Sequence, residues 1–446
     1  MSSVRNISLS RQVPVRHDVD VFVAGGGPAG AAAAVAAARQ GARVFLAEDQ
    51  GCLGGAGTAG MVPAFMQFGD GVNFLAGGFG RELLDRLVAA GGAGDRRRDF
   101  SCAIRAEALK RVYDEMLAEA GVQFSLHTRL AAVEAEGGRV TAAVLAAKSG
   151  LFAVRARVYV DGTGDGDLAA WAGAPFEKGD ADGAMMPGTL CSLWAGVAWD
   201  SADTTKRERE RLADAFRDRV FTVEDPHLPG MWRVGRTVGG GNIGHTFGVD
   251  ATDERSLTTA LVWGRKSLLE YERYYKEYLK GFEKMELVAT GSILGVRETR
   301  RITGDYVLSI DDFRRRATFQ DEIGRYCYPV DIHPAKPDAA SYAKFEEEFR
   351  RDLRYREGES YGVPYRILTP RGLSNVLVAG RCVSSDRYLQ GSIRVMPGCY
   401  ITGQAAGVAA AMGAAAGSEP DVHAVEVPEL QAKLAKLGAH LPNFKG

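Results

Sequence analysis

The sequence predicts an α/β fold: a dinucleotide-binding unit with a parallel core, interrupted by a second, inserted domain. Three observations carry this. A strand, a glycine-rich turn, a helix and a second strand follow one another in residues 21–48; composition changes between about 175 and 365; and small-residue strand and helix patterns return after Ser374. The apolar run Val21 to Ala24 fits a buried strand. Gly25, Gly27 and Gly30 then fall in G-x-G-x-x-G spacing, with Pro28 and Ala29 inside the motif, at the opening of a helix expected to reach about Arg39. The first glycine permits a tight turn, the second lets backbone approach a diphosphate, and the third lets helix and strand pack closely. The helix N-terminus offers free N–H groups to the anion. The second strand, Ala42 to Ala47, ends at Glu48, whose carboxylate would accept hydrogen bonds from ribose hydroxyls and repel a 2′-phosphate. The ligand class is a dinucleotide. NADP is disfavoured, and NAD and FAD both remain open.

At 446 residues the chain exceeds the usual size of one hydrophobic core, so two domains are expected. Its 55 basic and 56 acidic residues leave a net charge of -1, which points to neither nucleic acid nor an anionic membrane as partner. No stretch approaches the ~18 apolar residues of a membrane span. The N-terminal segment has no apolar leader core, so a cytoplasmic protein is expected. The six cysteines lie scattered without a C-x-x-C pair, which argues against structural zinc, a ligated cluster and a disulfide frame. No metal site is predicted.

After the first unit, "GCLGGAGTAGMV" reads as a glycine-rich loop, followed by helices near Gly80 to Ala90 and Arg105 to Ala120. From Val122 to Val160, apolar or alternating runs separated by Gly137-Gly138 and Ser149-Gly150 read as a strand and a small antiparallel meander ending at "DGTGDGD". The more polar, aromatic stretch from about Pro175 to Tyr365 is the candidate second domain. It carries the charge-laced "TKRERERLADAFRDRV", a helix from Thr258 to about Phe282 and the segment "FEEEFRRDLRYREGE", all read as solvated helix faces. A second G-x-G-x-x-G, "GGGNIG" at Gly239 to Gly244, lacks both a preceding strand of useful length and a following small-residue helix; it reads as a surface or active-site loop. "NVLVAGRCVSSD" and "GSIRVMPGCYITGQAAGVAAAMGAAA" then give a strand, a loop and a long helix that return to the first domain. The expected organisation is residues 1–175 and 366–446 in the cofactor domain and 176–365 in a substrate, or cap, domain.

Taken together, "VFVAGGGPAG", "GGAGTAG", "VYVDGTGDGDLAAWAG", "LGVRETRRITGDYVL", "YPVDIH" and "VLVAGRCVSSDRYLQGSIRVMPGCYITGQAAG" resemble the FAD-dependent oxidoreductases of the glutathione-reductase superfamily. The branch they resemble is that of fumarate reductase and succinate dehydrogenase flavoproteins, over roughly residues 18–416. The resemblance implies a Rossmann-like FAD-binding domain of three-layer ββα architecture with an inserted cap. It also implies that Gly25, Gly27 and Gly30, with Pro28 and Ala29, hold the diphosphate and Glu48 the adenosine ribose. Gly54, Gly55 and Thr58 would line the diphosphate and ribityl chain, and the Leu130 backbone would meet the adenine edge. Asp161 and Gly162 would close the strand beneath the cofactor. Gly380 would approach the ribityl chain, but Arg381 stands where related reductases carry an acid. Gly391, Ser392, Val395 and Met396 would lead into the last helix, whose N-terminus would stabilise negative charge on the reduced ring. Disulfide reductases of the superfamily carry two close cysteines after the first glycine loop. Here Cys52 stands alone, so a dithiol relay is not expected.

FAD supplies hydride chemistry, and the protein must orient a substrate and move protons. His333, in "YPVDIHP", and His245, after the glycine loop, are the candidate proton carriers. Arg394 and Arg297 are the candidate anchors for a carboxylate; in a strand, Arg297 and Arg301 would share a face. Three functions remain open: hydride transfer to or from a small polar, possibly carboxylate- or carbonyl-bearing molecule, a flavin-dependent monooxygenase, or the FAD subunit of an electron-transfer complex. Without a nicotinamide domain in the chain, the electron partner is a diffusible molecule or another protein. A homo-oligomer is left open.

Overall fold

A computed structural model describes residues 10–228, 230–417 and 419–445. Residues 1–9, the start of the segment read for a leader, lie outside them. The largest sheet runs in the order Gln123–Ser125, Val44–Ala47, Val15–Ala24, Gly150–Asp161, Arg139–Ala147, Arg129–Glu136, with Val376–Val378 also paired to Gly150–Asp161. Val21 to Ala24 and Val44 to Ala47 are wholly buried, as strands of a parallel sheet covered on both faces must be. The twelve-residue strand Gly150–Asp161 joins the sheet's two parts. Its first half pairs antiparallel with Arg139–Ala147, closing the meander, while its second half runs parallel to both Val15–Ala24 and Val376–Val378. The mixed α/β architecture expected from the sequence is therefore present, with the glycine-rich turn at the carboxyl end of the central strand.

Helix Pro28–Arg39 covers one face of this sheet and packs against Met396–Ala415. The two helices approach so closely that a Cβ at Gly403 would stand 2.2 Å from the Ala29 carbonyl oxygen, and one at Gly407 2.1 Å from that of Ala33. The alanine- and glycine-rich stretches are thus a helix–helix seam, which small residues alone permit.

A second core lies in residues Leu190 to Leu294, built around Trp194, Tyr274, Tyr275 and Phe282. A four-stranded antiparallel sheet, ordered Gly230–Arg233, Gly239–Asn242, Ser192–Ala195, Glu286–Thr290, carries it with the helices Thr205–Arg217 and Glu254–Tyr278. Thr204 and Asp253 cap those helices by accepting main-chain N–H groups. Further along, Ile302, Phe313, Tyr326, Tyr361 and Val363 return to the first core. The glycine run at 239–244 is corrected here: Gly239–Asn242 is a strand inside this sheet, not a loop. Side chains crowd it from both sides, with Pro63 Cβ 2.4 Å from where a Gly240 Cβ would stand and Ser192 Oγ 2.7 Å from one at Gly241. The glycines therefore serve close packing, and the next helix starts only at Glu254. Among the described residues no helix is long and apolar enough to cross a membrane.

Candidate functional site

The two glycine loops of the first domain are stitched together. Gly54 N–H donates to the Gly26 carbonyl at 2.8 Å, and a Cβ on Gly55 would stand 3.2 Å from the Gly27 Cα. Gly25, at φ +88°, lies so close to the end of the long strand that a Cβ would sit 2.7 Å from the Gly162 carbonyl oxygen; one on Gly30 would stand 1.9 Å from that of Gly25. Gly27 is different: the nearest atom to its Cβ position is 3.9 Å away. Beside it the first-turn amides of helix Pro28–Arg39 lack intrahelical carbonyl partners. Open space over a glycine, ringed by free N–H donors, fits a diphosphate.

Glu48 is buried and accepts N–H groups from Gly26 at 2.6 Å and Gln50 at 2.8 Å. Burial pushes its carboxyl up, and those two donors oppose the rise. Thr128 N–H donates to the Glu48 carbonyl, so Leu130, two residues further, starts the meander beside this acid. Asp161 is also buried, which raises its carboxyl to about 6. It accepts from Thr163 N–H, the Thr163 hydroxyl and Ala169 N–H, and so builds the turn into helix Asp167–Trp171. The Thr58 hydroxyl is spent on the Leu53 carbonyl at 2.5 Å.

The returning segment meets this cradle. A Gly380 Cβ would stand 2.9 Å from Ala29 Cβ, and Met396 Sδ lies 2.9 Å from the Cβ position of Gly57. Val395 stands at the N-terminal boundary of the long helix and makes no side-chain cap. Arg381 turns aside, donating to Asp165 at 2.6 Å and the Val296 carbonyl at 3.2 Å. Gly391 and Ser392 pack against the Tyr328–Ile332 segment: a Gly391 Cβ would meet Ile332 at 3.0 Å, and the Ser392 hydroxyl donates to the Tyr328 carbonyl at 2.5 Å.

Arg394 donates to the Asp331 carbonyl at 2.9 Å and lies 3.3 Å from its carboxylate; its Nε is buried without a partner among the described residues. The same carboxylate is 3.3 Å from His333 Nε2. His333 Nδ1 lies 3.0 Å from His245 Nε2, and His245 Nδ1 lies 2.8 Å from Asp225. Asp225 also accepts the Tyr342 hydroxyl at 2.6 Å and the His227 main-chain N–H at 3.1 Å. Burial favours the neutral form of all three imidazoles: His227 falls to about 4, His245 is lowered, and His333 falls well below the usual histidine range with Arg297 adding to the effect. Burial would raise Asp331, but His333 and Arg394 overrule it and hold the carboxylate ionised. Arg297 is buried and donates to the Pro187 carbonyl and the Thr189 hydroxyl, each at 2.9 Å. Burial and then the like charge of Arg394 pull it down to about 10.

The fold thus brings His245, His333, Arg297 and Arg394 into one neighbourhood. It does not set Arg297 and Arg301 on a shared strand face, because the strand covers only Arg300–Ile302. Arg301 pairs with Glu298 at 2.6 Å, and Arg300 with Asp167 at 2.7 Å. Sequence reasoning missed Asp225, His227, Asp331 and Tyr342. A signal was present in a repeated Asp-x-His, at Asp225–His227 and at Asp331–His333.

Residues 20–434 match the family described as FAD dependent oxidoreductase. No curated protein matches the chain. Among solved structures, a geranylgeranyl bacteriochlorophyll reductase-like protein from Thermoplasma acidophilum is 14% identical with a TM-score of 0.45, over 94% of this chain and 83% of that one. The flavin-dependent brominase Bmp2 is 13% identical with a TM-score of 0.47, over 91% and 81%. The p-nitrophenol 4-monooxygenase PnpA from Pseudomonas putida DLL-E4 is 13% identical with a TM-score of 0.37, over 65% and 70%.

Proposed function

The chain belongs to the FAD dependent oxidoreductase family, and from that premise we propose that it transfers a hydride between FAD and a small polar substrate bearing a carboxylate or carbonyl. The carrying observation is the buried chain of contacts from Arg394 through Asp331 to His333, with Arg297 beside it. Buried Arg297 and part-buried Arg394 stand there beside Asp331 and neutral imidazoles, so an added substrate anion finds cationic partners in a largely desolvated site that Asp331, a quarter exposed, keeps open to the outside. When bound, FAD supplies hydride acceptance and donation. In this reading Gly25, Gly27, Gly30 and the helix after them hold its diphosphate, Glu48 its adenosine ribose and Leu130 the adenine edge. Arg394 orients the substrate and His333 donates or accepts the proton.

The substrate unit is centred on residues 190–294 of the expected 176–365 span, where the second core lies. The ordered motifs support a place on the branch near fumarate reductase and succinate dehydrogenase flavoproteins. Six free cysteines support a reducing, cytoplasmic setting. Anaerobic mixing of the purified flavoprotein with a panel of hydroxy, keto and unsaturated carboxylates tests the reading: a true reductant bleaches the flavin band rapidly. Oxygen consumption coupled to NAD(P)H, with oxygen recovered in the product, would replace it with monooxygenation.

A further inference from the structure

His245 and His333 turn ring nitrogens toward each other, His245 Nε2 and His333 Nδ1 standing 3.0 Å apart. Their outer nitrogens lie beside carboxylates, His245 Nδ1 at 2.8 Å from Asp225 and His333 Nε2 at 3.3 Å from Asp331. The Asp225 contact is close but off hydrogen-bond geometry: neither His245 Nδ1 nor that Asp225 oxygen has a hydrogen-bond partner among the described residues. The inner pair is therefore joined by a single shared occupant, one N–H hydrogen or a metal ion in its place.

His227 completes the arrangement. One nitrogen from each of His227, His245 and His333 lies within 4.8 Å of the others. The ring centres are 5.2 Å apart for His227 and His245, 4.7 Å for His227 and His333, and 5.1 Å for His245 and His333. Imidazole nitrogens about 2.0–2.1 Å from a tetrahedral ion stand roughly 3.3 Å apart, with ring centres roughly 5 Å apart. No ring nitrogen of His227 has a hydrogen-bond partner among the described residues.

We infer that His227, His245 and His333 form a binding site for a divalent transition-metal ion of the imidazole-preferring kind, such as zinc. Asp331 and Asp225 stand at the outer nitrogens of His333 and His245, the position a carboxylate takes behind a ligating histidine, where it raises the basicity of the metal-facing nitrogen. Charge does not forbid the ion: Arg297 and Arg394 are balanced by Asp225 and Asp331 before it enters. An anionic fourth ligand, hydroxide or a carboxylate, then offsets part of the charge it adds. His227 is only half-buried and gives the ion a way in. A proton and a metal ion are alternative occupants of one point between His245 and His333. Metal binding can therefore be measured without substrate and separately from hydride transfer to or from FAD, although a metal-bound His333 would hand the proposed proton transfer to another group, such as a water on the ion.

The experiment strips the purified flavoprotein with a chelator, returns zinc or cobalt(II), and counts metal per chain by mass spectrometry. About one ion per chain is expected. The cobalt form should absorb in the visible to the red of the flavin, as tetrahedral cobalt does. His227→Ala should keep its yellow FAD but lose tight metal binding, and Asp225→Asn should weaken it about 10- to 100-fold. Retained FAD reports that each variant has folded; should His227→Ala lose it, His227→Gln takes its place. If wild type binds neither ion stoichiometrically, or binds it no more tightly than the His227 variant, the inference is overturned and the two inner nitrogens share a proton instead.

Discussion

Gly27 separates the demands of folding from those of the cofactor. Its φ is -65°, open to any residue, and an added Cβ would find its nearest neighbour, the Gly162 carbonyl oxygen, at 3.9 Å. Gly27→Ala therefore creates no clash in the cofactor-free protein. It loses only the advantage of glycine over alanine at a helix N-cap, roughly 0.5 kcal/mol, within about 1 °C in melting temperature for a chain of this size. The same methyl occupies space assigned to the diphosphate. Forcing one methyl into a packed contact costs ~1–3 kcal/mol, which is roughly 5- to 150-fold in Kd. Gly27→Val should remove binding altogether. The assay is calorimetry of the cofactor-free proteins beside FAD titration followed by flavin fluorescence; the stabilisation that saturating FAD confers should shrink in step with affinity. Gly30→Ala is the contrast, because its Cβ would overlap the Gly25 carbonyl oxygen at 1.9 Å and damage the fold with or without FAD. Gly27→Ala with wild-type FAD affinity, or Gly27→Val with full flavin occupancy, would refute the placement of the diphosphate.

Arg394→Ala should keep FAD but lose substrate affinity and rate, and His333→Ala should mainly lower turnover, each by about a hundredfold, the scale of a removed acid–base group; steady-state kinetics on an identified substrate separates the two effects. Asp161, raised by burial to about 6, binds a proton in the folded state that the unfolded chain gives up near ~3.9. Its contribution to stability is therefore present below that lower value and is lost as pH rises through about 6. Denaturant unfolding of the cofactor-free protein should show wild type losing ground to Asp161→Asn from pH 4 to 7, by on the order of 3 kcal/mol, beyond a constant offset for the lost acceptor; parallel pH profiles would remove the claim. Cys52 is the one partly exposed cysteine, and burial raises the thiols of Cys102 to about 11 and of Cys191 and Cys399 to about 12. A thiol reagent at neutral pH should modify about one group in the native protein and all six after unfolding.

The sequence by itself determined the βαβ unit, the meander, the helix–helix seam and the class of cofactor. Each of these is written in local spacing: three glycines and an acid at fixed distances, alternation over a few residues, or a run too small-sided for anything but close packing. Local spacing misled where tertiary contact overrode it. Gly239–Asn242 has poor strand propensity yet is a strand, because its neighbours leave no room for side chains. Arg297 and Arg301 part company because the backbone between them is extended in a sheet only from Arg300. Only the tertiary structure decided the histidine cluster. His227, His245 and His333 come from three separate stretches; His227 and His333 each carry an aspartate two residues before them, but their meeting, the Asp225 beside His245 and the burial that keeps the rings neutral all come from the packing of segments remote in sequence. A titratable group's behaviour is set by what surrounds it in space, and that cannot be read from its neighbours along the chain.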